Sequence, residues 1–330
     1  MNRKLRALVA LLIAFTIVSL AVSDAYADEK VAIKIGYQRG STWTILKVQE
    51  RLEKRFEGNV TVTWTLFPAG PQLLEGLNVG AVDIGATGET PPIFAQAAGI
   101  PLIYVAYSSG IGVGQGVIVP KDSPIQTPAD LKGKKIAFNK ASSAHLLLVR
   151  ALEKNGLSYN DIEPIFLAPP EARAAFQGGS VDAWVIWDPF LEAAIQELEA
   201  RILIDGVDVV ASKGYTLASK VFVEKHPEIV RGIIEELRDV NDWVVNNRDE
   251  YADIQAKETG LDASIWKQTL IRELPALLFI DEEAIAYQQE VADVFFNLKL
   301  IPERLNIRDV VWIGGSNEGV KPSVPTNTSN

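Results

Sequence analysis

The chain of 330 residues has no cysteine, two histidines and one methionine. Without cysteine there is no disulfide, no thiol nucleophile, no thiolate metal site and no cysteine to carry a lipid anchor. His145 and His226 alone cannot build a histidine-rich metal centre. A Walker lysine motif, a nucleophile elbow and an HExxH zinc motif are also missing. No catalytic residue, metal site or cofactor is therefore expected. Basic residues are outnumbered, with 32 Lys and Arg against 42 Asp and Glu and a net charge of −10. Such a surface repels nucleic acid and anionic lipid. It does not forbid a small-anion site, where local donors override the global field.

Long apolar runs are confined to the N-terminus. Arg3, Lys4 and Arg6 precede an uncharged, mostly apolar stretch, Ala7–Val22, and Ala25-Tyr26-Ala27 then offers small residues for cleavage. The stretch is short for a membrane span, which needs about 20 residues. Residues 1–27 read as a cleavable secretory signal peptide. A soluble, monomeric protein of the periplasm, without a lipid anchor, is expected.

What remains alternates strands with helices, the pattern of a parallel α/β sheet. Val31–Tyr37, Val60–Leu66, Val82–Ala86 and Pro101–Tyr107 read as strands, and Thr42–Phe56 as one helix with a stripe at Ile45, Val48, Leu52 and Phe56. After a strand at Gly116–Pro120 and a one-turn helix at Thr127–Gly133, the pattern restarts. Lys134–Phe138, Asp161–Leu167 and Val181–Trp187 are strands. Asp188–Leu198 is a helix with Asp188 as cap and Pro189 in its first turn. The chain beyond Tyr215–Ser219 is mostly helical, and the Gly/Ser/Asn/Pro-rich residues 314–330 read as a disordered tail.

The two α/β halves repeat each other. Ile35–Thr42 (IGYQRGST) matches Ile136–Ser143 (IAFNKASS) position by position, and Gly80–Asp83 (GAVD) matches Gly179–Asp182 (GSVD). This predicts two βαβαβ-based lobes joined by a hinge of two crossings. Lobe one takes residues 28–116 and 215–313, and lobe two takes 117–214.

Ligands of open α/β sheets sit beyond the C-terminal strand ends, where helix N-termini offer unpaired N–H groups. Ser41-Thr42 and Ser142-Ser143 place hydroxyls at two such ends, and Thr87-Gly88 lies at a third. Facing one cleft, these loops form an anion clamp. Ser142 and Ser143 serve equally well as helix caps. Arg39 and Lys140 read better as solvated loop charges, and His145 as a helix-face histidine. Trp184 and Trp187 face opposite sides of a strand, Trp187 being the cleft candidate. Asp188 reads as a cap, and Glu89 is a carboxylate out of place in an anion site. The glycine run Gly110–Gly116 leads into a strand rather than a helix, so it is read as hinge backbone and not as a nucleotide loop.

Beyond these derivations, GYQRGS, FPAGPQLLEGLNVGAVDIGATGETPPIFAQAAG, DLKGKKIAF, SSAHLLLVRAL, ARAAFQGGSVDAWVIWDPF and NIRDVVW closely resemble aliphatic sulfonate-binding proteins over Val31–Trp312. The DLKGKK and G-x-VD elements are shared with nitrate, taurine and thiamine-precursor receptors. The resemblance implies a type II periplasmic binding protein fold. It also implies capture of a sulfonate between the lobes and delivery to the permease subunits of an ABC importer. It places the site on Gln38, Gly40, Ser41, Thr87, Gly88, Glu89, Ser142, Ser143, His145, Trp187 and Asp188, to which the hydroxyl argument adds Thr42. Taurine, nitrate, another oxyanion and a thiamine-pyrimidine precursor remain alternative ligands. Ser108–Gln115 departs from the pattern in being glycine-rich. Desulfinases resemble this family but use a cysteine nucleophile, which this chain lacks.

Overall fold

The computed structural model describes residues 30–108, 114–207, 209–272, 276–318 and 320. The N-terminal segment read as a signal peptide lies outside them, as do 110–113 of the glycine run and 319 and 321–330 of the expected tail.

Strand β1 (Val31–Gln38) runs into helix α1 (Trp43–Val48) and then α2 (Arg51–Arg55). A single helix was expected over Thr42–Phe56. It breaks because Glu50 takes the left-handed conformation, with φ 50°. Arg51 and Arg55 anchor the second piece on Glu236 and Glu235. The chain continues through β2 (Val60–Phe67), α3 (Gly70–Asn78), β3 (Ile84–Gly88), α4 (Thr90–Ala97) and β4 (Leu102–Ser108). It crosses to β5 (Gln115–Val119), β6 (Lys135–Phe138), α5 (Ser143–Lys154), β7 (Glu163–Phe166), α6 (Pro169–Gln177), β8 (Ala183–Trp187), α7 (Phe190–Leu198) and β9 (Arg201–Asp205). It returns through β10 (Gly214–Ser219), α8 (Lys220–Lys225), α9 (Pro227–Asn246), α10 (Arg248–Thr259), α11 (Ala263–Arg272), β11 (Leu277–Phe279) and α12 (Glu282–Asn297).

Two sheets result, in the orders β11-β4-β10-β3-β1-β2 and β7-β6-β8-β5-β9. Both are mixed, not parallel throughout. β10 runs antiparallel to β3 and β4, and β5 antiparallel to β8 and β9. The reason lies in the crossings. Each of these strands enters from the other lobe without a helix to turn it round, so it meets its new sheet in the opposite direction. The orders β2-β1-β3-β10-β4 and β7-β6-β8-β5-β9 then correspond strand for strand, and each lobe is completed by a strand donated at a crossing.

The sequence repeat is matched in hydrogen bonds. Asp83 N donates to Lys34 O (2.7 Å) and Asp83 Oδ2 accepts from Lys34 N (2.9 Å). Asp182 makes the same pair with Lys135, at 2.8 and 2.7 Å. Each aspartate splices its Gly-x-Val-Asp turn onto the corresponding strand, β1 in one lobe and β6 in the other.

Burial follows the strand period. Ile33 and Ile35 of β1 are fully buried on one face with Trp43, Ile45 and the stripe Ile229, Ile233, Leu237 and Val240 of α9. On the opposite face Gly36 admits Leu73, whose Cγ would lie 2.9 Å from a Cβ at that position. A second apolar cluster backs the outer face of the other sheet through Trp184, Phe176 and Leu191. The largest cluster lies between the lobes and draws from both, joining Leu73, Ile93 and Phe295 to Phe138, Leu147 and Val185. Gly314–Asn317, expected in the disordered tail, is tied to lobe one. Arg231 donates to Gly314 O, Arg238 donates to Ser316 O and Asn317 Oδ1, and Phe279 N donates to Asn317 Oδ1.

Candidate functional site

The two repeated loops are built alike. Gly40 has φ 80° and its counterpart Ala141 φ 61°, both left-handed. Ser41 Oγ donates to Gln38 O (2.9 Å), and Ser142 Oγ donates to Asn139 O (2.6 Å). The first hydroxyl of each pair thus closes its own loop and is not a free donor. Carbonyls of the first loop are occupied from outside: Tyr251 donates to Gly40 O (3.0 Å) and Gln255 to Ser41 O (3.0 Å). Gln38 sends its amide N–H to Ala86 O (2.9 Å). With the first hydroxyls engaged in both loops, and Gly40 O and Ser41 O engaged in the first, the donors left to offer a guest are the second hydroxyls, Thr42 and Ser143, and the N–H groups that open α1 and α5.

Both loops border one cavity of about 390 Å³ between the lobes. Of the residues expected at the site, Gln38, Gly40, Ser41, Thr42, Gly88, Ser142, Ser143, Trp187 and Asp188 line it. Trp184 is fully buried in lobe two. Three expected residues stand behind the wall. Thr87 is buried and donates its hydroxyl to Gly88 O. Glu89 is buried and reaches the cavity only through Ser143, whose Oγ lies 3.4 Å from Glu89 Oε2. His145 is buried among Phe94, Phe138, Tyr159 and Phe295, and its Nδ1 accepts from Ala141 N.

Asp188 is half cap and half splice. Its Oδ1 accepts from Glu192 N and its own N–H donates to Gly114 O, while α7 itself starts two residues later, at Phe190. Arg39 is at the cavity edge, where it donates to Thr259 O, and Lys140 lies over the Phe166 ring.

A third wall escaped the sequence reading. Tyr251, Trp266, Thr269 and Leu270 of α10 and α11 line the same cavity, as do Gln115 and Ser212 of the crossings. Trp266 packs on Gly40 so closely that a Cβ there would lie 2.4 Å from the indole. The signal was present in Trp266, an aromatic in a weakly amphipathic helix, but nothing local ties that helix to a loop two hundred residues earlier.

Burial shifts two titrating groups behind the cavity wall. Desolvation pushes the Glu89 carboxyl up to about 7, against weaker support from its own N–H and Ser143. Desolvation, with the charge of Lys140, pulls the His145 imidazole down to about 3. Both are neutral in mildly acidic solution.

Two lobes that exchange strands and enclose a cavity lined by hydroxyls, helix openings and aromatic rings, with Asp188 in the wall and Arg39 at the edge, define a bilobal binding protein of the periplasmic type. The profile of the NMT1/THI5-like family matches residues 66–251. The chain belongs to that family and, within it, to the aliphatic sulfonate-binding proteins. It is similar to the periplasmic aliphatic sulphonate binding protein SsuA of Escherichia coli, with 41% identity and a TM-score of 0.78 over 86% of this chain and 97% of that one. The alkanesulfonate-binding protein SsuA from Xanthomonas axonopodis pv. citri bound to MOPS is 40% identical, with a TM-score of 0.83 over 87% and 99% of the two chains. A taurine-binding periplasmic protein of Escherichia coli is 28% identical over 71% of this chain and 73% of its own.

Proposed function

We propose that this protein is a monomeric periplasmic receptor, exported by its N-terminal segment, that captures an aliphatic sulfonate in the interlobe cavity and presents it to an ABC importer. The observation that carries this reading is the matched pair of loops bordering one cavity, each with its carbonyls or first hydroxyl turned away. A sulfonate is anionic at all ordinary pH and accepts hydrogen bonds only. Neutral N–H and O–H donors suit it, and no general base is needed. Thr42 with the opening of α1 would take it from one lobe, Ser143 with the opening of α5 from the other. The aromatic surfaces of Trp187 and Trp266 suit an organic substituent. Ligand gripped by both lobes favours the closed arrangement over the open one. Similarity to sulfonate receptors supports the periplasm and the importer, and among the described residues no helix is long and apolar enough to cross a membrane.

Asp188 lines the cavity as a carboxylate and favours a second reading in which the substituent carries a cation, as in taurine. Titration calorimetry with ethanesulfonate, octanesulfonate, taurine, sulfate and nitrate separates the readings. Binding of alkanesulfonates above the inorganic anions supports the first, and a preference for taurine supports the second. No heat with any sulfonate would refute both.

A further inference from the structure

Glu89 has no role in the clamp as described, yet it is among the most enclosed polar groups of the molecule, at 1% exposure. Its Oε1 has no hydrogen-bond partner among the described residues. Oε2 touches one side chain, Ser143 Oγ at 3.4 Å, and that contact crosses from lobe one to lobe two. Beside it Gly88 lies flush against the same hydroxyl.

Among the described residues no cation is paired with the Glu89 carboxyl. Tyr104 of β4 and Gln288 of α12 adjoin through a 3.0 Å hydrogen bond, and Gln288 also donates to Glu89 O (2.7 Å). Tyr215 of β10 and Tyr287 of α12 feel the carboxylate and are raised, chiefly by burial, so they stay neutral. From α5 come Ser143 and the neutral His145. Lys213, the one buried Lys or Arg among the described residues, lies over the Tyr107 and Tyr287 rings and is paired with Glu283. Lys140 acts on His145 from the far loop.

We propose that Glu89 is a positioning residue that works in its protonated form, donating to Ser143 Oγ across the lobe boundary so that the Ser143 hydroxyl hydrogen turns to the bound sulfonate. This deepens the sulfonate reading and rests on it. A neutral carboxyl carries one O–H donor, and Ser143 Oγ can accept it while donating elsewhere. Once the carboxyl is ionised the bond reverses. Ser143 must then donate to Oε2, its lone pairs face the guest, and a full negative charge stands behind them. The proton lost leaves Glu89 for solvent, and the anionic guest opposes that loss. Guest binding and Glu89 protonation therefore favour each other.

The test uses the intact mature protein and ethanesulfonate. In calorimetry from about pH 5.5 to about pH 9, the wild-type Kd should be flat on the acid side and rise toward about tenfold per pH unit on the alkaline side. Near neutrality, titrations in buffers of different ionisation enthalpy should show proton uptake on binding. Glu89→Gln keeps a donor for Ser143 Oγ, so its affinity should stay close to the acid-side wild-type value at every pH, with no proton uptake. Ser143→Ala should bind more weakly throughout, with a shallower pH dependence. A wild-type Kd that persists unchanged with pH, or a Glu89→Gln profile that keeps the wild-type slope, overturns the inference and leaves the sulfonate reading standing. No binding at any pH overturns both. The wild-type profile needs no variant to fold.

Discussion

Gly88 of lobe one and Ser143 of lobe two are in direct contact, so close that a Cβ on residue 88 would lie 1.8 Å from Ser143 Oγ. The backbone of the first lobe is thus the seat on which the second lobe's donor rests when the cavity is enclosed. Gly88→Ala should turn the Ser143 hydroxyl out of its place. We expect its sulfonate affinity to fall about tenfold or more, since misplacing a charged-group hydrogen bond costs about 1.5–3 kcal/mol. Calorimetry on wild type and variant, with circular dichroism to check the fold, decides this, and equal affinities would contradict it.

Glu89 and His145 shape stability against pH in opposite senses. Glu89 rises from its ordinary 4.5 to about 7, so between those values the native state holds a proton that the unfolded chain has lost, and stability falls as pH rises. His145 drops from 6.5 to about 3, so between those values the unfolded chain holds the extra proton, and stability rises with pH. Over their common window, from 4.5 to 6.5, the two slopes cancel. Glu89→Gln should unmask the His145 slope, making stability climb by about 1.4 kcal/mol per pH unit relative to wild type there. Urea unfolding at a series of pH values measures it, and parallel curves for the two proteins would count against the assignment.

Ala141 holds a left-handed backbone that its counterpart Gly40 adopts without penalty. An L-residue there costs about 1–2 kcal/mol. Ala141→Gly should therefore stabilise the protein, by up to about 1 kcal/mol after the extra freedom of glycine in the unfolded chain is offset. Gly40→Ala should do the reverse and also strike Trp266. Chemical denaturation of both variants checks the signs.

Asp83 and Asp182 each donate a backbone N–H to, and accept with Oδ2 from, the matching lysine backbone, and only the carboxylate bond is lost on replacement by Ala. Replacing either with Ala should cost a similar amount, about 1–3 kcal/mol, if the halves are physically equivalent. A large cost at one site and none at the other would show that the resemblance of the turns is superficial.

These predictions also mark what could be read from the sequence. The loops IGYQRGST and IAFNKASS and the two Gly-x-Val-Asp turns were legible because repeated local chemistry yields repeated local geometry, down to matching left-handed residues. The strand directions were not. β5 and β10 look like any other strand, and only the crossing makes them antiparallel. The hydroxyls were read as four equivalent donors, whereas Ser41 and Ser142 donate to carbonyls three residues back, a choice that depends on loop curvature. The third wall, with Tyr251 and Trp266, was invisible because it arises from packing between segments remote in sequence.

The apolar cluster shared between the lobes should make any motion between them lopsided. Phe94, His145 and Phe295 interlock where α4, α5 and α12 meet, and drawing them apart would wet a large greasy surface. Elsewhere between the lobes, α7 and α11 are bridged by an exposed bond in which Ser264 Oγ donates to Gln196 Oε1 (3.1 Å), a bond water can replace. We expect the first side to hold as a pivot and the second to open as the mouth, so that a solute enters past Trp266. Spin labels at residues 196 and 264 should separate when solute is withdrawn, while a pair at 150 and 290, across the pivot, should keep its spacing.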